Sequence, residues 1–189
     1  MTTAASTRRT FLGSSGVLSA TAVALLAGRP ALAQGMAGDP AKDAGILNVA
    51  LALEHEAINA YQLGAGSGLL TKPVLAVALQ FQGHHKGHRD ALTATIRKLG
   101  GQPVAELKPE DYARALDAQA LKSQADVLAL AARLELGATN AYLGVIPSFA
   151  SHDLAQVAGR LAADETMHYT ALTEVLGRPL PAAALSFGA

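Results

Sequence analysis

Residues 53–61 read LEHEAINAY and residues 134–142 read LELGATNAY. Their shared Asn-Ala-Tyr endings set the two segments in register and place Glu54 on Glu135. Each segment is followed by a second matching one, HHKGHRDAL at 84–92 and ETMHYTAL at 165–172. The Ala-Leu endings of these place His88 on His168 and His85 on Glu165. The spacing agrees closely, 31 residues from Glu54 to His85 and 30 from Glu135 to Glu165. The chain therefore contains an internal repeat. Each unit carries one Glu in its first segment and a pair of potential metal ligands three residues apart in its second. On a helix, positions i and i+3 share a face, so both members of such a pair can reach one point.

Working outward, the apolar residues around these segments recur at helical spacing, as with Leu47, Ala50, Leu51, Ala57, Ile58 and Tyr61. Four long helices are expected, over Ala41–Leu63, Pro73–Leu99, Ser123–Val145 and Ser151–Leu176. Pro73 is an acceptable first-turn residue and Ser151 a good N-cap. Gly100-Gly101 and Gly177 are stop signals. The joints within each pair of helices are short. The connection from Gly100 to about Lys122 is longer and includes KPEDYARAL, a short helix of its own. Two hairpins joined by one long crossover is the expected architecture. The composition agrees: 41 alanines and only 4% aromatic residues favour helices packed through small side chains over a β-sandwich.

The 189 residues suit one ordinary domain, and 50% hydrophobic content excludes intrinsic disorder. With no cysteine, disulfide scaffolds, cysteine nucleophiles and thiolate metal sites are excluded. No phosphate-binding Gly loop or Gly-x-Ser-x-Gly elbow is present. No basic stripe with aromatics points to nucleic acid.

Residues 1–33 read as an export signal. Arg8 and Arg9 in STRRTFLG precede an apolar stretch from Phe11 to Ala27, and Ala31-Leu32-Ala33 is a small-x-small cleavage site. The paired arginines followed by Thr-Phe-Leu resemble a twin-arginine signal, which implies a periplasmic or secreted protein with no membrane anchor after cleavage. Residues 34–43 then form a linker, 44–177 the bundle and 178–189 a tail. The signal holds three arginines and no acid, so the formal charge moves from zero for the whole chain to about −3 for the remaining 156 residues.

The acids of the repeat lie on apolar stripes. Glu54 has Ala50, Leu51, Ala57 and Ile58 at its ±3 and ±4 positions, and Glu135 has Ala131, Ala132, Ala138 and Thr139. Glu165 has Leu161, Ala162, His168 and Tyr169. A buried carboxylate must pair, protonate or bind metal. Three such acids converging with three histidines can be satisfied together by divalent metal.

This pattern resembles the ferritin-like di-metal carboxylate family, with a Glu on each of two helices and Glu-x-x-His on each of the other two. It is most similar to the exported bacterial ferritin-like proteins, relatives of rubrerythrins and desiccation-related proteins, and the resemblance covers about residues 44–176. It implies an all-α, ferritin-like four-helix bundle. It also implies that Glu54 and Glu135 are terminal ligands, Glu165 a bridging ligand, and His88 and His168 the histidine ligands. His85 departs from the pattern, standing where the family has a second bridging Glu. The metal set becomes Glu54, His85, His88, Glu135, Glu165 and His168, open to iron, manganese or zinc as one or two ions. Two redox ions would suit O2 or peroxide reduction with an external electron donor. A metal-binding or stress-protection protein without turnover, and an interaction module without metal, are the alternatives. A homo-oligomer is left open.

Other polar residues receive simpler readings. Glu56 aligns with Gly137 and is peripheral or a supporting acid. Asp164 is an outward or supporting acid, and His84 belongs to a polar helix face. His55 and His152 have no repeat partner and read as surface residues. Tyr61 and Tyr142 lie two turns from Glu54 and Glu135 on the same face. They either close the site by hydrogen bonding, relay electrons or, most simply, fill the core.

Overall fold

The computed structural model describes residues 39–188, which are helical with no strand among them. The export signal and residues 34–38 of the expected linker lie outside the described residues, and residues 40–43 of that linker belong to the first helix. Four long helices are present: α1 (Pro40–Gly66), α2 (Lys72–Lys98), α4 (Gln124–Val145) and α5 (His152–Val175). The short α3 (Pro109–Ala115) sits in the crossover, where KPEDYARAL predicts a helix.

The helix ends follow local chemistry. Asp39 caps α1 by accepting from the amides of Ala41 and Lys42. Ser123 and Ser151 cap α4 and α5 by accepting from the amides of Asp126 and Leu154. Gly100, at φ +81°, closes α2, and the amide of Gly101 returns to Ile96 O. The first helix runs three residues past Leu63, because the Gly-rich stretch at its end stays helical as far as Gly66.

The α1–α2 and α4–α5 hairpins pack face to face. Gly64 permits a close approach of α1 to α4, since a Cβ there would lie 2.8 Å from Val127 Cγ1. The crossover is strung along α1. Asn48 accepts from the Val104 amide and donates to Gln102 O, while Asn59 donates to Glu106 at 2.6 Å. Tyr112 of α3 and Leu116 are buried against Ala60 and Leu130. This crossover overturns the surface reading of His55. That ring is buried, with Glu106 4.0 Å from its Nδ1, because the crossover folds back over α1. His152 is exposed, as read from sequence.

The core has two apolar ends. One gathers Leu47, Leu51, Leu92, Ile96, Leu154 and Leu161. The other gathers Tyr61, Phe81, Leu128, Ala132 and Leu172. Between them, at mid-bundle, lies a polar layer. No described helix is long and apolar enough to cross a membrane. The tail beyond Pro179 is irregular but docked: the Gly188 amide donates to Asn140 at 2.7 Å, and Phe187 meets Tyr169 edge-on.

Candidate metal centre

Each of the four long helices contributes to the polar layer. Glu54 comes from α1, His85 and His88 from α2, Glu135 from α4, and Glu165 and His168 from α5. Glu54, His85, Glu135, Glu165 and His168 are at most 1% exposed, and the His88 side chain is 11% exposed. The three acids and three histidines singled out in the sequence thus converge on one place.

His85 lies at its middle. Its Nδ1 donates to Glu54 Oε2 at 2.8 Å and its Nε2 to Glu135 Oε1 at 3.2 Å. Donation from both nitrogens is the imidazolium form. Burial opposes that charge, but the hydrogen bonds to Glu135 and Glu54 hold the ring's pKa well above its usual value. His88 Nδ1 stands 3.3 Å from Glu165 Oε1 and 3.6 Å from Glu54 Oε1. Burial again opposes charge, and the two carboxylates push its pKa up to about 10. His168 Nδ1 donates to Glu165 Oε2 at 3.2 Å and lies 3.5 Å from Glu135 Oε1. Its pKa is raised as well, the same acids outweighing burial.

The acids answer in kind. Burial would raise Glu54, but contacts with His85 and His88 bring it to about 2. Glu135 falls well below the carboxylate range through His168 and His85, again against burial. Glu165 is the exception. Burial keeps its pKa raised despite His168 and His88, and the Glu54 charge adds to the rise.

Two tyrosines close the layer. Tyr61 donates to Glu135 Oε1 at 2.5 Å and Tyr142 donates to Glu54 Oε1. The hydrogen-bonding reading of these tyrosines therefore prevails over that of plain core residues. Burial, together with the neighbouring carboxylates, raises the pKa of both phenols well above the usual value, so they remain donors.

Outside the ligand set, two residues stand behind its histidines. His84 Nδ1 is 2.9 Å from His168 Nε2, and Asp164 Oδ2 is 3.1 Å from His88 Nε2. Asp164 is thus the supporting acid that the sequence allows, whereas the contact of His84 with His168 goes beyond its expected place on a polar helix face. The available signal was the repeat, in which residues 84 and 164 align. Glu56 is buried two residues from Glu54, and burial lifts its pKa to about 7 against the pull of Arg133. A cavity of about 20 Å³ lies among Glu56, His85 and Glu135, enough for a single water.

The donor atoms form two groups, each with one atom per residue and all atoms within 4.8 Å of one another. One is Glu54, His85, His88 and Glu165; the other is His85, Glu135, Glu165 and His168. His85 and Glu165 belong to both. Within them His88 Nδ1, Glu165 Oε1 and Glu135 Oε2 are buried without a hydrogen-bond partner. Such atoms are costly to leave unsatisfied, and a divalent cation accepts lone pairs from all three. Carboxylate and imidazole donors in this number fit a first-row divalent metal.

The family model described as ferritin-like domain matches residues 42–178. Neither comparison with curated proteins nor comparison with solved structures gives a match.

Proposed function

Because the chain belongs to the ferritin-like domain family, we propose that it is an exported metal protein whose centre holds one or two divalent ions. Iron or manganese is favoured, and zinc is compatible. Glu54, His85, His88, Glu135, Glu165 and His168 are the proposed ligands. The observation that carries this reading is the pair of donor groups sharing His85 and Glu165, with three buried donor atoms otherwise unpartnered.

A pair of redox ions, when bound, would share a two-electron change suited to reducing O2 or peroxide. Around them the chain's own residues have defined tasks. Tyr61 and Tyr142 hold the carboxylates of Glu135 and Glu54 in place. Asp164 and His84 orient the imidazoles of His88 and His168. The apolar layers above and below exclude water. An apolar cavity of about 220 Å³, lined in part by Leu70, Val74, Ala78 and Leu128, reaches Tyr61 and Phe81. Phe81 in turn stacks on His168 at 4.1 Å. Such a cavity suits the approach of a small uncharged oxidant.

A second reading is metal binding without turnover, favoured by the near-complete burial of Glu54, Glu135 and Glu165. The export proposal is supported by Arg8-Arg9, the apolar stretch after them and Ala31-Leu32-Ala33.

Metal analysis of the protein purified from periplasm tests the proposal. Two equivalents of iron or manganese with peroxide turnover support the oxidoreductase, and bound metal without turnover supports the second reading. Less than about half an equivalent of any metal overturns both. Glu165→Ala with undiminished metal content overturns the ligand assignment.

A further inference from the structure

We propose that the two donor groups are unequal, so that the Glu54–His88 group takes the first divalent ion and the Glu135–His168 group the second, more weakly. The inference rests on the metal-binding reading above. What sets the order is the residue behind each histidine.

The hairpins exchange supporting partners. Asp164, on the second hairpin, stands behind His88 of the first; His84, on the first, stands behind His168 of the second. Both contacts engage Nε2, so in both rings Nδ1 faces the acids. The arrangement is symmetric in position and asymmetric in chemistry. A carboxylate only accepts, so Asp164 keeps one His88 proton on Nε2, and the proton that an incoming metal displaces is the one on Nδ1. Asp164 also stabilises the positive charge that an imidazole acquires on donating to a cation. A neutral His84 can place its own proton on either nitrogen. With the proton on His84 Nδ1, His168 must accept at Nε2, and its own proton moves to Nδ1, where it blocks ligation.

The hydrogen bonds inside the two groups leave the order to those outer residues. In the first group His88 Nδ1 and Glu165 Oε1 are unpartnered. In the second, Glu135 Oε2 is likewise unpartnered, and His168 Nδ1 is bonded to Glu165 Oε2 at 3.2 Å. An ion entering either group must displace a histidine–carboxylate hydrogen bond, His85 Nδ1 to Glu54 Oε2 at 2.8 Å in the first and His168 Nδ1 to Glu165 Oε2 in the second, so these contacts do not rank the groups.

The test is a titration of the metal-stripped protein with Co2+, followed by calorimetry and by visible absorbance. The expected result is one tight step and a second at least about tenfold weaker. Asp164→Asn weakens the tight step by about 10- to 100-fold and the other much less. His84→Asp is the more telling variant. Asp Oδ1 and His Nδ1 are both bonded to Cγ, so the new acceptor falls where the imidazole nitrogen stood, and the second step should tighten by about tenfold. Glu54→Gln should remove the tight step and Glu135→Gln the weak one. Circular dichroism of each stripped variant establishes that it folds, and the His84→Asp gain does not depend on Asp164→Asn folding. Two equal steps in the parent protein, equal weakening of both by Asp164→Asn, or no tightening by His84→Asp would overturn the inference while leaving metal binding intact. No cobalt uptake by the parent protein would overturn the metal reading and the inference together.

Discussion

The phenolic hydroxyl of Tyr61 donates to Glu135 across the bundle, at 2.5 Å, and not to the acid of its own hairpin. Tyr142 mirrors it by donating to Glu54. Each hairpin thus supplies the hydrogen-bond donor that the other hairpin's buried acid needs. Tyr61→Phe and Tyr142→Phe should each destabilise the metal-free protein by about 2 kcal/mol, the cost of losing a hydrogen bond to a charged group. Both acids also contact His85, so the double variant should be non-additive by at least about 0.5 kcal/mol in urea denaturation. Additive losses would mean that the two halves of the layer act independently.

The histidine–acid contacts give the metal-free protein a defined pH dependence. Glu54 is lowered to about 2 from 4.5, so its stabilisation is complete above 4.5 and lost as pH falls through 2. His88 is raised to about 10 from 6.5, so its stabilisation is complete below 6.5 and lost as pH rises through 10. Thermal midpoints measured with chelator present should therefore be highest near about pH 5 and fall on both sides. A maximum above pH 8 would contradict the ion pairing described.

Glu56 acts against stability at neutral pH and above. Its pKa of about 7 means that folding disfavours the ionised form, a cost absent below pH 4.5 and fully present above about 7. Glu56→Gln should stabilise the metal-free protein by about 2–3 kcal/mol at pH 8 and change little at pH 4. Urea denaturation at both values checks this, and an equal effect at the two would rule out ionisation as the cause.

Gly64 tests the hairpin interface. Gly64→Ala places a Cβ 2.8 Å from Val127 Cγ1, and the overpacking should cost about 1–3 kcal/mol, against a helix-propensity gain of about 1 kcal/mol. Combined with Val127→Ala, the same change should lose that overpacking cost relative to Val127→Ala alone. A Gly64→Ala variant that is itself more stable than the parent would show that the helices can separate freely there.

Much of this was legible in the chain because it is written locally. Ser123 and Ser151 act as caps through hydrogen bonds three residues long. The repeat placed Glu54, His85, His88, Glu135, Glu165 and His168 on converging helix faces, because helical periodicity and antiparallel hairpins leave few other arrangements. The burial of His55 is not legible in the sequence, because its neighbour Glu106 comes from the crossover, whose path has no periodic signature.

Propensity, capping and spacing are enough to dictate an all-helical chain, the two-hairpin order and which side chains face the middle. Which residues meet across the hairpins follows from how the helices pack. Tyr61 with Glu135 and His84 with His168 are 74 and 84 residues apart. Such contacts depend on the relative height and rotation of packed helices, set by small-residue approaches such as that of Gly64 to Val127. The different chemistry behind His88 and His168 becomes visible only when those distant partners are in contact.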